Sequence, residues 1–154
     1  MQSSIFLLSI ITFFVVGIPE NIQKTQDERY ADVLNVTISG KELQYTFSVT
    51  ISSPDTGCEQ YADWWEVISE SGELVYRRVL LHSHVNEQPF TRSGGKVPIK
   101  EDQIVWIRAH MNNLGYGGKT IKGSVTDGFV PTEPPKGFAA NLEQVQPLPS
   151  GCGF

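Results

Sequence analysis

The sequence predicts an all-β protein, a single antiparallel β-sandwich of the immunoglobulin-like or fibronectin type III-like kind. Three observations predict it. Apolar and polar residues alternate with a period of two over residues 43–52, as in a strand with one buried face. About seven such short runs are separated by turn-forming residues. Nowhere does an apolar period of 3.6 residues extend far enough for a helix of normal length.

The chain of 154 residues has room for one such domain with a segment at each end. Residues 1–17 are predicted to be a signal peptide, because Ile5 to Ile18 is an uncharged apolar run. At about 1.5 Å per residue this run is too short to cross a hydrocarbon core about 30 Å thick. Residues 18–32 are predicted to be a flexible lead-in and residues 33–130 the sandwich. We therefore expect a secreted or periplasmic protein without a membrane contact after cleavage.

The predicted strands follow one another at short intervals. Glu70–Glu73 is typical of a hairpin turn, and Pro89–Lys96 is predicted to be a loop with its most flexible point at Gly94-Gly95. From residue 131 to 154, prolines and glycines replace any periodicity and predict an extended tail. The predicted strands are Leu34–Ser39, Leu43–Ser52, Tyr61–Ser69, Leu74–Val85, Val97–Ile99, Gln103–Asn112 and Thr120–Val130.

Charge and cysteine content narrow the function classes. The net charge is −5, the pI is near 5.1, and no run of Lys or Arg is present, so a nucleic-acid partner is excluded. The two cysteines, Cys58 and Cys152, are predicted to form one disulfide, as a pair usually does in an exported protein. This bond would tie the tail back to the loop around Asp55-Thr56-Gly57.

Sorting side chains by strand face predicts a binding surface. If the strands that contain Trp64, the histidine pair and Trp106 share a sheet, their outward residues lie on one outer face. Solvated sheet faces normally carry small polar and charged residues, whereas aromatic residues and arginine are enriched where proteins bind partners. The partner is expected to be a small molecule, a glycan or a protein. The predicted surface residues are Trp64, Glu66, Tyr76, Arg78, Trp106 and Arg108.

The same sorting places all three histidines on this outer face. His82 and His84 are two residues apart in a predicted strand, and His110 lies in another. Three imidazoles with an open position would suit Zn or Cu, so a metal site is predicted at His82, His84 and His110. Glu66 or Glu87 could serve as a fourth ligand or as a general base. Met111 is assigned to the opposite face and is left out.

Two other functions remain open. A metal-free carbohydrate- or protein-binding module could use the aromatic residues Tyr61, Trp64, Trp65 and Trp106, although Trp65 is more typical of a sandwich core. A metal-dependent hydrolase or oxidase is the further alternative. A serine hydrolase built on Ser83 and His82 is disfavoured, because adjacent strand residues face apart and no nucleophile elbow is present.

Three sequence blocks carry a resemblance. CEQYADWWEV, LLHSHVNEQPFTRSGG and RAHMNNLGYGG together resemble an uncharacterised group of exported bacterial β-sandwich proteins. The resemblance covers roughly Leu43 to Phe129. It implies export and a sandwich fold but no established activity, so no catalytic residue is assigned from it.

Overall fold

The computed structural model describes residues 27–153 as eight β-strands and one short 3-10 helix. The predicted signal peptide over residues 1–17 and most of the predicted lead-in lie outside the described residues. No helix within residues 27–153 is long and apolar enough to cross a membrane. The strands are β1 (Asp32–Ser39), β2 (Tyr45–Ser52), β3 (Ala62–Ser69), β4 (Leu74–Val79), β5 (Phe90–Val97), β6 (Val105–Met111), β7 (Ile121–Ser124) and β8 (Gly128–Pro131).

The strands form two antiparallel sheets, as the all-β prediction requires. A three-stranded sheet has the order β1-β2-β5, and a five-stranded sheet has the order β4-β3-β6-β7-β8. Inward-facing residues of both sheets meet in one apolar core, with Phe47 and Val49 from the first sheet and Trp65, Val67 and Ile107 from the second. Burial strictly alternates along β2, which confirms the period-two pattern there.

One predicted loop is a strand. Phe90–Val97 forms β5, which pairs with β2 from Ile51 to Tyr45. Neighbouring groups approach Gly94 and Gly95 so closely that a side chain would not fit at either position. A Cβ at Gly94 would lie 2.5 Å from the Tyr76 hydroxyl, and one at Gly95 would lie 2.6 Å from the Tyr45 carbonyl oxygen. Gly94-Gly95 therefore marks a crowded point of the sheet, and the prediction of a flexible loop at Pro89–Lys96 is wrong.

Two strand predictions were too long. The run predicted over Leu74–Val85 leaves the sheet after Val79 and continues as the loop Leu80–Pro89. The weak strand predicted over Thr120–Val130 is two strands, β7 and β8, joined by a turn at Val125–Asp127. After Val79 the apolar residues Leu80 and Leu81 continue past the strand end, so composition alone does not show where that ladder stops.

The C-terminal segment, residues 137–147, folds back over the five-stranded sheet. It includes the 3-10 helix Ala140–Gln144 and packs Leu142 against Ile68 and Trp106. The predicted disulfide is present: Cys58 and Cys152 are bonded with their Cα atoms 5.6 Å apart. The tail is thus attached both by packing and by a covalent bond.

Candidate functional site

The outer face of the five-stranded sheet is covered by the protein's own C-terminal segment. Strands β3 and β6 are buried on both faces of the sheet. Every residue of β6 and all but the last residue of β3 are buried. Four predicted surface residues are therefore inaccessible to a large partner: Trp64, Glu66, Trp106 and Arg108 are exposed by 3, 0, 6 and 4%. The prediction of a free binding surface at these residues is wrong, because a segment distant in sequence lies on it.

The register of β4 also differs from the prediction. Arg77 pairs with Glu66, and Arg78 pairs with Trp65, so Arg77 faces outward and Tyr76 packs inward beside Trp65. The Arg78 side chain is exposed. The prediction of which β4 side chains face the core relied on the apolar residues toward Val85, and these lie in the loop beyond the strand. Arg77 is therefore the arginine that sequence reasoning missed on this face.

Glu66 is the centre of a buried ionic cluster. Its Oε2 accepts hydrogen bonds from Arg77 Nε at 2.8 Å and Nη2 at 2.5 Å, and its Oε1 accepts one from Arg108 Nε at 2.8 Å. The three residues lie directly across β4, β3 and β6 from one another. Two arginines therefore satisfy one buried carboxylate, which excludes Glu66 as a metal ligand or a general base in this arrangement.

The same arginines hold the C-terminal segment by its backbone. Arg77 donates to the carbonyl oxygens of Leu142, Val145 and Pro147. Arg108 donates to those of Phe138 and Ala139 at 2.8 Å. All five N–H groups of Arg77 and three of the five of Arg108 take part in these bonds, so the cluster docks the tail.

His110 is held apart from the other two histidines. Its ring stacks on Trp64 with centroids 3.6 Å apart, and its Nδ1 lies 2.7 Å from Asp63 Oδ1. Its Nε2 lies 3.7 Å from Glu143 Oε1 on the 3-10 helix. Burial is the largest cause of a raised pKa at Asp63, and the His110 contact acts against it. His110 thus belongs to the packing between β3, β6 and the tail.

The aromatic platform proposed for sugar stacking does not form. Tyr61, Trp64 and Trp65 are exposed by at most 3%. Trp106 lies under Phe138 with ring centroids 5.3 Å apart. Trp65 is the core tryptophan of the sandwich, which was the second of its two interpretations.

His82 and His84 lie together in the loop Leu80–Pro89 and not on a strand. Their ring centroids are 4.5 Å apart. They line an open cleft of about 430 Å³, together with Ser83, Asn86, Glu87 and Cys58 of the disulfide. The structure therefore brings two of the three predicted histidines to one site.

Three buried polar atoms at this cleft have no hydrogen-bond partner within residues 27–153: both ring nitrogens of His84 and the Ser83 hydroxyl oxygen. His84 is only 3% exposed, and its ring stacks on Phe90 with centroids 3.8 Å apart. Burial is the main cause of a lowered pKa at His84, and the charges of Arg92 and His82 add to it. His84 is thus a neutral imidazole whose hydrogen-bonding groups are unsatisfied, which is costly and unusual in a folded protein.

Asp55 positions His84. Its Oδ2 accepts a hydrogen bond from the His84 backbone N–H at 2.8 Å, and its Oδ1 accepts from the Ala62 backbone N–H and the Ser53 hydroxyl. Asp55 is 8% exposed. Sequence reasoning placed Asp55 only in the loop tied by the disulfide; the buried carboxylate that joins two loops was missed, because turn composition does not reveal burial.

A common site for all three histidines is not formed. Among residues 27–153, no group of three or more His, Cys, Asp or Glu side chains is arranged to hold a metal ion. Glu87 stays near the histidine pair, where it forms an ion pair with Arg92 at 2.8 Å. The predicted His82, His84 and His110 site is therefore reduced to the first two residues.

A comparison with curated proteins finds a relative from Halomicrobium mukohataei that is named "Putative lipoprotein". The two sequences are 39% identical over 98 residues, which is 62% of this chain and 47% of the relative. No family model matches the sequence, and no solved structure matches it. The chain spans about half the length of the relative that it matches.

Proposed function

We propose that the chain is an exported β-sandwich domain that binds a Zn or Cu ion through His82 and His84. The name of the relative supports a place at the cell envelope. The disulfide between Cys58 and Cys152 supports an oxidising compartment, because such bonds persist mainly outside the cytosol.

We further infer an immunoglobulin-like strand arrangement. The first, second and fifth strands share one sheet, while the third, sixth and seventh share the other. This is the distribution of strands A, B and E against C, F and G in immunoglobulin domains. In such sandwiches the loops at the ends commonly carry the binding residues.

The observation that carries the metal proposal is the state of His84. A buried, neutral imidazole that forms no hydrogen bond within residues 27–153 keeps a lone pair for a metal ion. His82 lies next to it as a second imidazole. Imidazole nitrogen is a preferred ligand of Zn and Cu, and metal binding would satisfy a group that the fold leaves unsatisfied.

The test is metal titration of the tag-free mature protein with a chromophoric chelator as competitor. We expect micromolar or tighter binding of Zn or Cu. His82→Ala and His84→Phe are each expected to weaken binding at least about tenfold, since even residues behind the metal ligands contribute about that much. Phenylalanine at position 84 keeps a ring to stack on Phe90, so the loop is retained.

Asn86→Ala is the matched control, because Asn86 lines the same cleft and is exposed. The metal affinity of this variant is expected to equal that of the wild type. The proposal is wrong if neither metal binds at micromolar concentration, or if the two histidine variants bind as tightly as the Asn86 variant.

A further inference from the structure

Asn35 begins the only Asn-x-Ser/Thr triplet of the sequence, Asn35-Val36-Thr37. In exported proteins this triplet, with any residue except proline in the middle, is the acceptor for N-linked glycans. A short pattern of this kind also occurs by chance, so its position in the fold decides whether it can serve. An acceptor asparagine must be exposed and must have room outside the fold for a bulky polar group.

The fold presents both polar residues of the triplet to solvent. Asn35 and Thr37 lie on β1 and are exposed. They are two positions apart in a strand, so their side chains share one face. Their partners on β2 are Thr50 and Ser48, which lie between the buried core residues of that strand and therefore face outward. A glycan on Asn35 would extend away from the core.

The outer face beside Asn35 is lined by hydroxyl groups. The side-chain oxygens of Ser48 and Ser93 lie 2.7 Å apart, and those of Thr50 and Thr91 lie 2.8 Å apart. Hydroxyl groups both donate and accept hydrogen bonds, as the hydroxyls of a sugar do. This face is therefore a compatible neighbour for a glycan that lies along the three-stranded sheet.

Strand β1 is an edge strand, since it lies at one end of the order β1-β2-β5. Exposed edges invite pairing with another chain, and proteins usually block them with lysine, proline or a bulge. The eight residues DVLNVTIS contain neither lysine nor proline. Their only charged residue, Asp32, is buried and accepts a hydrogen bond from the Lys119 backbone N–H. Leu34 is 43% exposed beside the bulge at Val33 to Asn35, so this edge lacks protection by charge.

We propose that Asn35 carries an N-linked glycan in the exported protein and that this glycan shields edge strand β1. The inference depends on the export proposed above and is independent of metal binding. In the transfer, the Asn35 side-chain nitrogen forms a bond to the anomeric carbon of a lipid-linked sugar phosphate. The bond from that carbon to the phosphate oxygen breaks, and the lipid phosphate leaves with the electron pair. The amide nitrogen loses one proton to a base of the transferase.

Mass spectrometry of the mature protein, purified from the organism that exports it, tests the modification. We expect sugar residues on the tryptic peptide 30–41, and fragment spectra should place them on Asn35. Thr37→Val should lose this added mass entirely, because it keeps the shape of the side chain but removes the hydroxyl of the triplet. Thr37→Ser is the matched control, and it should stay modified. An unmodified peptide in the wild type, or sugar attached to Thr37 or Ser39 instead, overturns the proposal.

Light scattering at increasing protein concentration tests the shielding separately. Asn35→Gln, which keeps a polar amide but cannot be modified, should self-associate at a lower concentration than the glycosylated wild type. Adding Leu34→Lys should reverse this shift, because a lysine on an exposed edge hinders pairing. Val130→Lys is the control, since it adds the same charge at a 61% exposed position on β8 of the other sheet. Equal self-association of Asn35→Gln and the wild type, or equal reversal by both lysines, overturns the shielding and leaves the modification site intact.

Discussion

His82 and His84 are identical residues two positions apart, yet their environments differ completely. His82 is exposed, whereas His84 is buried against Phe90, and its backbone N–H donates a hydrogen bond to the Asp55 carboxylate. Burial disfavours the charged imidazolium, which lowers the pKa of His84 from its ordinary value of 6.5. A pattern of residue types cannot separate these two cases, because it records spacing but not depth.

The lowered pKa of His84 predicts an acid-sensitive fold. Above about pH 6.5 the His84 imidazole is neutral in both the folded and the unfolded protein. Below that pH the unfolded chain binds a proton at this residue and the folded protein does not, until the pH falls below the pKa of His84 in the folded protein. The charges facing His84 are Arg92 and His82, which lower the pKa, and Asp55 and Glu87, which raise it. The free energy of unfolding should therefore fall between about pH 7 and pH 5, by at most about 1.4 kcal/mol per pH unit from this one group.

The measurement is urea unfolding in chelator across this pH range. His84→Phe cannot titrate, so its stability should depend less on pH than that of the wild type. His82→Ala, which changes an exposed neighbour, should largely keep the wild-type slope. Equal slopes for the wild type and the His84 variant would contradict this account.

At the scale of elements, the C-terminal segment and the five-stranded sheet form one unit. Leu142 fills an apolar site beside Ile68 and Trp106, while Arg77 and Arg108 bind five carbonyl oxygens of the segment. These bonds replace the ladder or helical partners that an irregular segment lacks. The aromatic and arginine-rich sheet face was predicted to bind an external partner; in the structure it is covered by this chain's own tail.

This docking predicts that Glu66→Gln is strongly destabilising. The variant leaves two buried arginines without their counter-charge, and breaking a buried ion pair in this way typically costs about 3–5 kcal/mol. The free energy of unfolding from urea titration should fall by that amount. Limited proteolysis should also cut the segment at residues 137–147 faster than in the wild type.

Glu87→Gln is the matched control. It is the same chemical change, and it also removes a carboxylate from an arginine, but that ion pair is exposed to solvent. Little change in stability and no change in the proteolysis of the tail are expected. If both variants behave alike, the buried cluster does not hold the tail.

At the scale of the whole molecule, the disulfide closes the chain on itself. Cys58 and Cys152 are separated by 94 positions, and the bond joins the loop before β3 to the end of the tail. In the chain-entropy model, closing so long a loop stabilises the fold by about 4–5 kcal/mol, because it restricts the unfolded chain.

The Cys58→Ser, Cys152→Ser double variant should therefore be less stable by up to about 4–5 kcal/mol in urea unfolding. The buried tryptophans should keep a native near-ultraviolet circular dichroism spectrum, because the arginine contacts still dock the tail. An unchanged unfolding midpoint would contradict the stabilisation. Loss of the near-ultraviolet signal in buffer would contradict the independent docking.

Local sequence patterns predicted much of the fold. The strict alternation from Tyr45 to Ser52 predicted β2 with its buried face, and the turn at Glu70–Glu73 predicted the hairpin between β3 and β4. These features depend on neighbours in sequence, so a sequence pattern contains them. Gly94 and Gly95 misled the prediction, because a glycine required by close packing looks the same in sequence as a glycine in a flexible loop.

The sequence by itself determined the all-β class, the pairing of the two cysteines and the closeness of His82 to His84. Only the tertiary structure decided that Arg77 and not Arg78 meets Glu66, that His110 is held by Asp63 and Trp64, and that the tail covers the outer face. The physical reason is that strand periodicity and turn chemistry act over a few residues. Register at a strand end and the covering of a sheet face depend on contacts between segments tens of residues apart.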